Sequence, residues 1–344
     1  MNAINFSSIN EVLDYTNNKN DKGFVIFSSK NNIIKLSSAI SDNVILCSTS
    51  GEYSSFGYID GGFTGFEYDP LDAEVVEILC PPIKSLSALK SAYNKVQANS
   101  NAFALLLCDG LTGMEETIIT TFFFAREDFK IIGGSAGDNL EFKETSIYIG
   151  RKKVHSIAIF FNSKKKTHLI KENIYTPTNK RMLITDADIT GRIVKTFNGK
   201  PASQEYARVL GVREAELSNY FMNNPLGKYS KEDVYISSPM KVNDDKSITF
   251  YCQMIPNTFV QILDPIDPIS QLNNTLKVAA AFNPSFVLAI NCILRSLKFQ
   301  QESIWPSFDR KLLAFCKNTT GFISYGEQFY KNHVNQTMVM MIVE

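Results

Sequence analysis

The residues from which reactive centres are most often recognised are scarce in this chain. Three histidines (155, 168 and 333) lie far apart, and six cysteines carry no Cys-x-x-Cys spacing. Zinc sites and disulfide frameworks both need such clusters, so neither is expected. Charge of one sign is also missing: 35 basic residues balance 35 acidic ones. No overall field would then hold a phosphate backbone or an anionic bilayer, and nucleic acid is excluded as the expected partner. The amino terminus lacks a basic region followed by an apolar one, and no window reaches the length of a membrane span. We therefore expect a cytoplasmic protein without membrane insertion, and read the run Lys164-Lys165-Lys166 as a solvated turn after the strand-like SIAIFF.

What is present is length, apolar content and repetition. With 344 residues, 44% of them hydrophobic, the chain can bury a sizeable core and is expected to form two domains. One layout occurs three times: an apolar strand, a helical stretch, and a second strand closing on a hydroxyl-x-Gly-acid tetrapeptide. The copies run from GFVIFSS to CSTSGE, from FALLLCDG to GGSAGD, and from FVLAINCILRS to GFISYGE, and strand-like GGFTGFEY, HSIAIFFN and QTMVMMIV follow them. Aligned, they give Thr49, Gly51 and Glu52; Ser135, Gly137 and Asp138; and Ser324, Gly326 and Glu327. The expected fold is α/β and two-lobed, with mixed sheets built from these three units.

Glycine at a strand end permits close backbone approach, while a hydroxyl and a carboxylate satisfy exposed amides. The turns can therefore be purely structural. Alternatively, strand ends of an α/β layer converge on a polar pocket. On that reading Glu52, Asp138 and Glu327 face a ligand amine and the turn amides a carboxylate. Ser48, Gly134 and Asn139, which flank the motifs, and Tyr325, inside the third, join the candidate set. Arg295, at the end of the apolar run FVLAINCIL, can clamp a ligand carboxylate or pair with a protein one. Cys47 and Cys292 are small core residues or, beside a cation, reactive thiols.

Between the second and third copies the character changes. DITGRIVKTFNGKPASQEYARVLG reads as a strand, an Asn-Gly turn and a helix, DVYISSPMKVNDDKSITFYCQM as a hairpin, and NTFVQILDP as another strand. The polar, Pro-containing KENIYTPTNKRM places a boundary near 171–184, giving domains over 1–175 and 176–344. No enzyme is expected. GGSAG satisfies the Gly-x-Ser-x-Gly pattern of serine hydrolases, but the related turns STSGE and ISYGE lack its spacing, and a P-loop and a GxGxxG are absent.

The order LCSTSGE, GGSAGDN, GKPASQEY, NPLG, a Cys-x-x-Arg at Cys292 to Arg295, and a closing GFISYGE with Asn335-Gln336-Thr337 resembles the FIST sensory domain, with both its amino-terminal and carboxy-terminal halves. The resemblance implies a signal-input protein that binds a small polar ligand, an amino acid or a derivative of one, between its halves. It brings Asn335 into the candidate set. It also implies a separate signalling partner, such as a kinase, a chemoreceptor or a cyclic-dinucleotide enzyme, because no output module is expected after Glu344. Some relatives are associated with haem, for which one of the three histidines would be the axial ligand. Without it no cofactor is expected, and a scaffold for protein interaction is the remaining alternative. Two departures stand out. The family tends to place a histidine directly before Asn-x-Thr, where this chain has Val334, and an arginine near YISSPM, where it has Ser237 and Ser238.

Overall fold

A computed structural model describes residues 1–230 and 233–344. The chain is mixed α/β and divides into two compact units. The first comprises 1–172, 272–333 and 338–344, and the second 173–271 with 334–337. The units thus interleave along the chain. Among the described residues no helix is long and apolar enough to cross a membrane.

The first unit holds three six-stranded sheets. Each is centred on a parallel pair: Gly23–Ser28 with Val44–Ser48, Phe103–Cys108 with Ile131–Ser135, and Phe286–Cys292 with Thr319–Ser324. A return strand runs antiparallel to the first member of each pair, over Phe63–Tyr68, Ser156–Phe161 and Thr337–Val343. Every parallel pair is joined through helix, as parallel strands require. Side chains alternate between two buried faces, which is why these strands read as unbroken apolar runs. Val25 and Phe27, Leu105 and Leu107, and Leu288 and Ile290 all enter one shared core. Phe24 and Ile26 pack instead under the first repeat's helices, and Ala104 and Leu106 under the second's.

The second members of the three pairs are completed by strands from a different repeat. Glu52–Ser54, from the first repeat, pairs with Thr319–Ser324 of the third. Glu327–Phe329 of the third pairs with Ile131–Ser135 of the second. Ile147–Ile149 of the second pairs with Val44–Ser48 of the first. The exchange closes a ring, so each sheet borrows its edge.

The second unit is built on a sheet in the order Asp233–Ser237, Leu226–Ser230, Phe259–Pro265, Tyr175–Asp188, Ile193–Phe197, Ile248–Phe250 and Pro239–Val242. The stretch that reads as a polar connector becomes the strand Tyr175–Asp188, with register shifts against both neighbours. Helix Ala202–Leu210 lays Tyr206 and Ala207 on a core that includes Phe197 and Ile248, and ends at Gly211 with φ of 90°, a left-handed cap that glycine adopts freely.

Candidate functional site

The three turns meet through their backbones. The Ser50 N–H donates to the Ile323 carbonyl (3.1 Å), and the Ile323 N–H to Gly51 (2.8 Å). The Tyr325 N–H donates to Ser135 (3.0 Å), and the Ser135 N–H to Gly326 (2.9 Å). The Gly137 N–H donates to Ser48 (3.0 Å), while the Ser48 N–H reaches Ser146 (2.8 Å). In the second turn Gly137 thus makes the bond that Ser50 and Tyr325 make in the other two. The structural correspondence is displaced by one residue from the sequence alignment, and residues 138–145 leave the ladder as a loop before Ser146 rejoins it.

That displacement changes what the carboxylates do. The Thr49 hydroxyl donates to Glu52 (2.7 Å) and the Ser324 hydroxyl to Glu327 (2.6 Å), each within its own turn. Ser135 points elsewhere and donates to Glu115 (3.1 Å). Asp138 instead accepts the amides of Phe142, Lys143 and Glu144 (3.0, 2.8 and 3.0 Å) and the hydroxyl of Tyr325. Tyr325 in turn accepts the amides of Asp138 (3.2 Å) and Leu140 (2.6 Å), and Asn139 donates its amide to the Ser50 hydroxyl (3.1 Å). The loop takes left-handed φ at Asn139, Leu140 and Phe142, of 56°, 64° and 51°. Such values cost a side-chain-bearing residue about 1 kcal/mol or more, which this network offsets.

The same contrast governs ionisation. Burial pushes the Glu52 carboxyl up to about 8, against the opposing bonds from the Thr49 hydroxyl and the amides of Gly61 and Gly62. Burial would raise Asp138 too, but the Tyr325 hydroxyl and three amides hold it below its ordinary value. Burial, with the bond to Asp138, raises the Tyr325 phenol. Ser48, Thr49, Glu52, Ser135, Asp138, Ser324 and Glu327 are all buried. Glycine at 134 lets the second sheet approach the third, because a Cβ there would lie 2.7 Å from Ile290 and Phe322. At Gly51, φ of 128° requires glycine.

Arg295 stands apart from the turns. It is fully buried, bonded to the carboxylate of Glu172, itself buried, and lies 4.9 Å from the Phe299 ring. Asn335 belongs to the second unit, where its side-chain oxygen accepts from the Ser238 amide (3.3 Å). Burial raises the Cys47 thiol far above its ordinary value, which keeps it protonated and unreactive. Cys292 is buried as well.

Beside the second turn a cleft of about 380 Å³ opens at the carboxyl end of Phe103–Cys108, the end where parallel sheets take their ligands. Its lining includes Asp109, Lys143, Glu144, Thr145, Lys153 and His155. Sequence reading passed over all of these except His155. Asp109 accepts the Leu111 amide (3.0 Å) and the Thr145 hydroxyl (2.6 Å), with His155 Nδ1 3.6 Å from its other oxygen. Lys153 pairs with Glu144 and holds that carboxyl below its ordinary value. The Lys143 side chain is 76% exposed, with its ammonium 3.9 Å from the Glu141 carboxylate. The signal available was position: LCDG and the residues after GGSAGD each follow a buried parallel strand. Among the described residues no group of three or more His, Cys, Asp or Glu is placed to hold a metal.

Comparison with known families gives two matches. The family model of the FIST N domain covers residues 23–200, and that of the FIST C domain covers residues 202–330. A search of curated proteins finds no match.

Proposed function

The chain belongs to the FIST family, whose domains are sensory modules of signal transduction, and from that premise we propose that it senses an amino acid or a close derivative in the Asp109 cleft. The observation that carries this reading is the presence of both signs of charge around one small volume. Lys143 and Lys153 suit the carboxylate of a zwitterion, and Asp109 and Glu144 its ammonium. A cleft lined by one sign alone would favour a simple anion or a polyamine instead.

The route for a signal follows from the loop. Lys143 and Glu144 are tied through their amides to Asp138, and Asp138 to Tyr325 in the turn of the third repeat. A ligand that binds one arrangement of this loop better than another shifts its population. The output passes to a separate signalling protein, for which a kinase, a chemoreceptor or a cyclic-dinucleotide enzyme suits a sensory input module.

The test is a thermal-shift screen of the purified protein against amino acids, small carboxylates, polyamines and haem, followed by calorimetry. Zwitterionic amino acids should raise the melting temperature with concentration, as native-state binding requires. Lys143→Ala should weaken binding about tenfold at unchanged stability, because that side chain is mostly in solvent. Silence from every amino acid at millimolar concentration would overturn the reading. A response to polyamines or haem alone would replace the ligand class.

A further inference from the structure

A second cleft, of about 680 Å³, lies in the first unit and shares no residue with the Asp109 cleft. Its walls include Lys130, Lys166, His168, Val278, Phe282 and Tyr330. Lys130 immediately precedes the strand Ile131–Ser135 and Asn101 lies two residues before Phe103–Cys108, so this cleft sits at the amino ends of the second repeat's parallel pair. The Asp109 cleft sits at their carboxyl ends.

Two features give the second cleft a definite chemistry. The first is an uncompensated cation. The Lys130 ammonium donates to the carbonyls of Ser100 (2.9 Å) and Thr167 (3.0 Å), and no carboxylate among the described residues lies within ion-pair reach of it. Partial burial lowers its pKa from the ordinary value, because the charge is poorly solvated there. Glu344 pairs with two of the lining residues, and both its side-chain carboxylate oxygens are committed. One lies 2.8 Å from His168 Nε2 and the other 3.4 Å from the Lys166 ammonium.

The second feature is a flat apolar wall. The His168 imidazole lies on the Phe282 ring with centroids 3.7 Å apart and planes within 5° of parallel. Its bond to Glu344 holds it in that plane. Val278 is 65% exposed beside it, although the helix carrying it has apolar positions buried elsewhere. A rigid ring stack with an exposed aliphatic neighbour favours a planar partner, which loses little conformational freedom on binding.

We propose that this cleft is a second ligand site, taking a small organic anion with a flat aromatic body. Its carboxylate faces Lys130 and its ring lies along Phe282 and Val278. The charge supplies orientation, and the apolar wall supplies most of the affinity.

The experiment is titration calorimetry of the whole protein with 1-naphthoate, and with 1-naphthylmethylamine as the charge-reversed control. The expected result is saturable one-to-one binding of the carboxylate, with a dissociation constant on the order of 0.1 mM, and none of the amine. Lys130→Gln should weaken binding at least tenfold. Since Lys130 also ties two backbone carbonyls, Val278→Asp serves as a second variant: the residue is mostly in solvent, and the new carboxylate repels the anion. Lys143→Ala should bind naphthoate as the parent does, which separates this site from the Asp109 cleft. Absence of saturable binding at millimolar naphthoate, equal binding of the amine, or parent-like affinity in Val278→Asp would each overturn the proposal.

Discussion

Glu52 and Asp138 close tetrapeptides that look alike, yet they are held in opposite ways. Glu52 is bonded by a hydroxyl of its own turn in a dry setting that raises its pKa, as Glu327 is bonded by Ser324. Asp138 organises an eight-residue loop and is kept ionised by the groups it holds. Three joints of one design therefore do two jobs. Two of them brace the sheets, and the displaced one also builds the wall of a cleft.

The comparison can be broken most severely at Asp138. Alanine there removes four hydrogen bonds, each worth about 1 kcal/mol, so urea denaturation should report a loss of about 4 kcal/mol. Amino-acid binding in the Asp109 cleft should disappear with it. A loss of stability with binding intact would detach the loop from the site.

A second test uses pH, because the two carboxylates predict opposite signs. Glu52 binds a proton more tightly folded than unfolded, so its stabilisation is complete below about 4.5 and is lost as pH rises towards about 8. Asp138 has the depressed value, so its contribution is present above its unfolded pKa and is lost as pH falls through the folded one. The unfolding free energy, measured by urea denaturation from pH 5 to 8, should fall by an amount on the order of 3 kcal/mol, and Glu52→Gln should flatten that slope. A slope unchanged by Glu52→Gln would mean that Glu52 is solvated in the folded protein.

The smallest effect is expected from Tyr325→Phe. It keeps the ring that lies 5.4 Å from Phe142 but removes the hydroxyl that joins Asp138 to the loop. The expected cost is about 1 to 2 kcal/mol, with a several-fold loss of amino-acid affinity. Full affinity in this variant would place the signal route elsewhere.

The strands were legible in the sequence because two-sided burial leaves an unambiguous mark, as in FALLLC and FVLAIN, each buried throughout. The family was legible from the order of its short motifs, which the family models match over 23–200 and 202–330. The one-residue displacement at Gly137 was not, since GGSAGD fits the alignment better than it fits the hydrogen bonds, and only the partner strand decides register. Arg295 was recognised as a residue needing a carboxylate. That the carboxylate is Glu172, 123 positions earlier, depends on tertiary pairing. The Asp109 cleft escaped notice because its lysines and acids are ordinary surface residues until the loop from Asp138 gathers them.

The ring of borrowed edges has a consequence for synthesis. A ribosome releases the first repeat's hairpin, Glu52–Ser54, long before its partner, Thr319–Ser324, exists. For most of translation that strand presents an open edge, the condition under which nascent chains associate wrongly. The edge supplied by Glu327–Phe329 follows its partner Ile131–Ser135 only after a long stretch of chain, so the second sheet also waits. Pairings so distant in sequence make folding slow. A ribosome paused midway through this chain would hold every strand of the first sheet but only parts of the other two, which makes the nascent protein a natural client of holding chaperones.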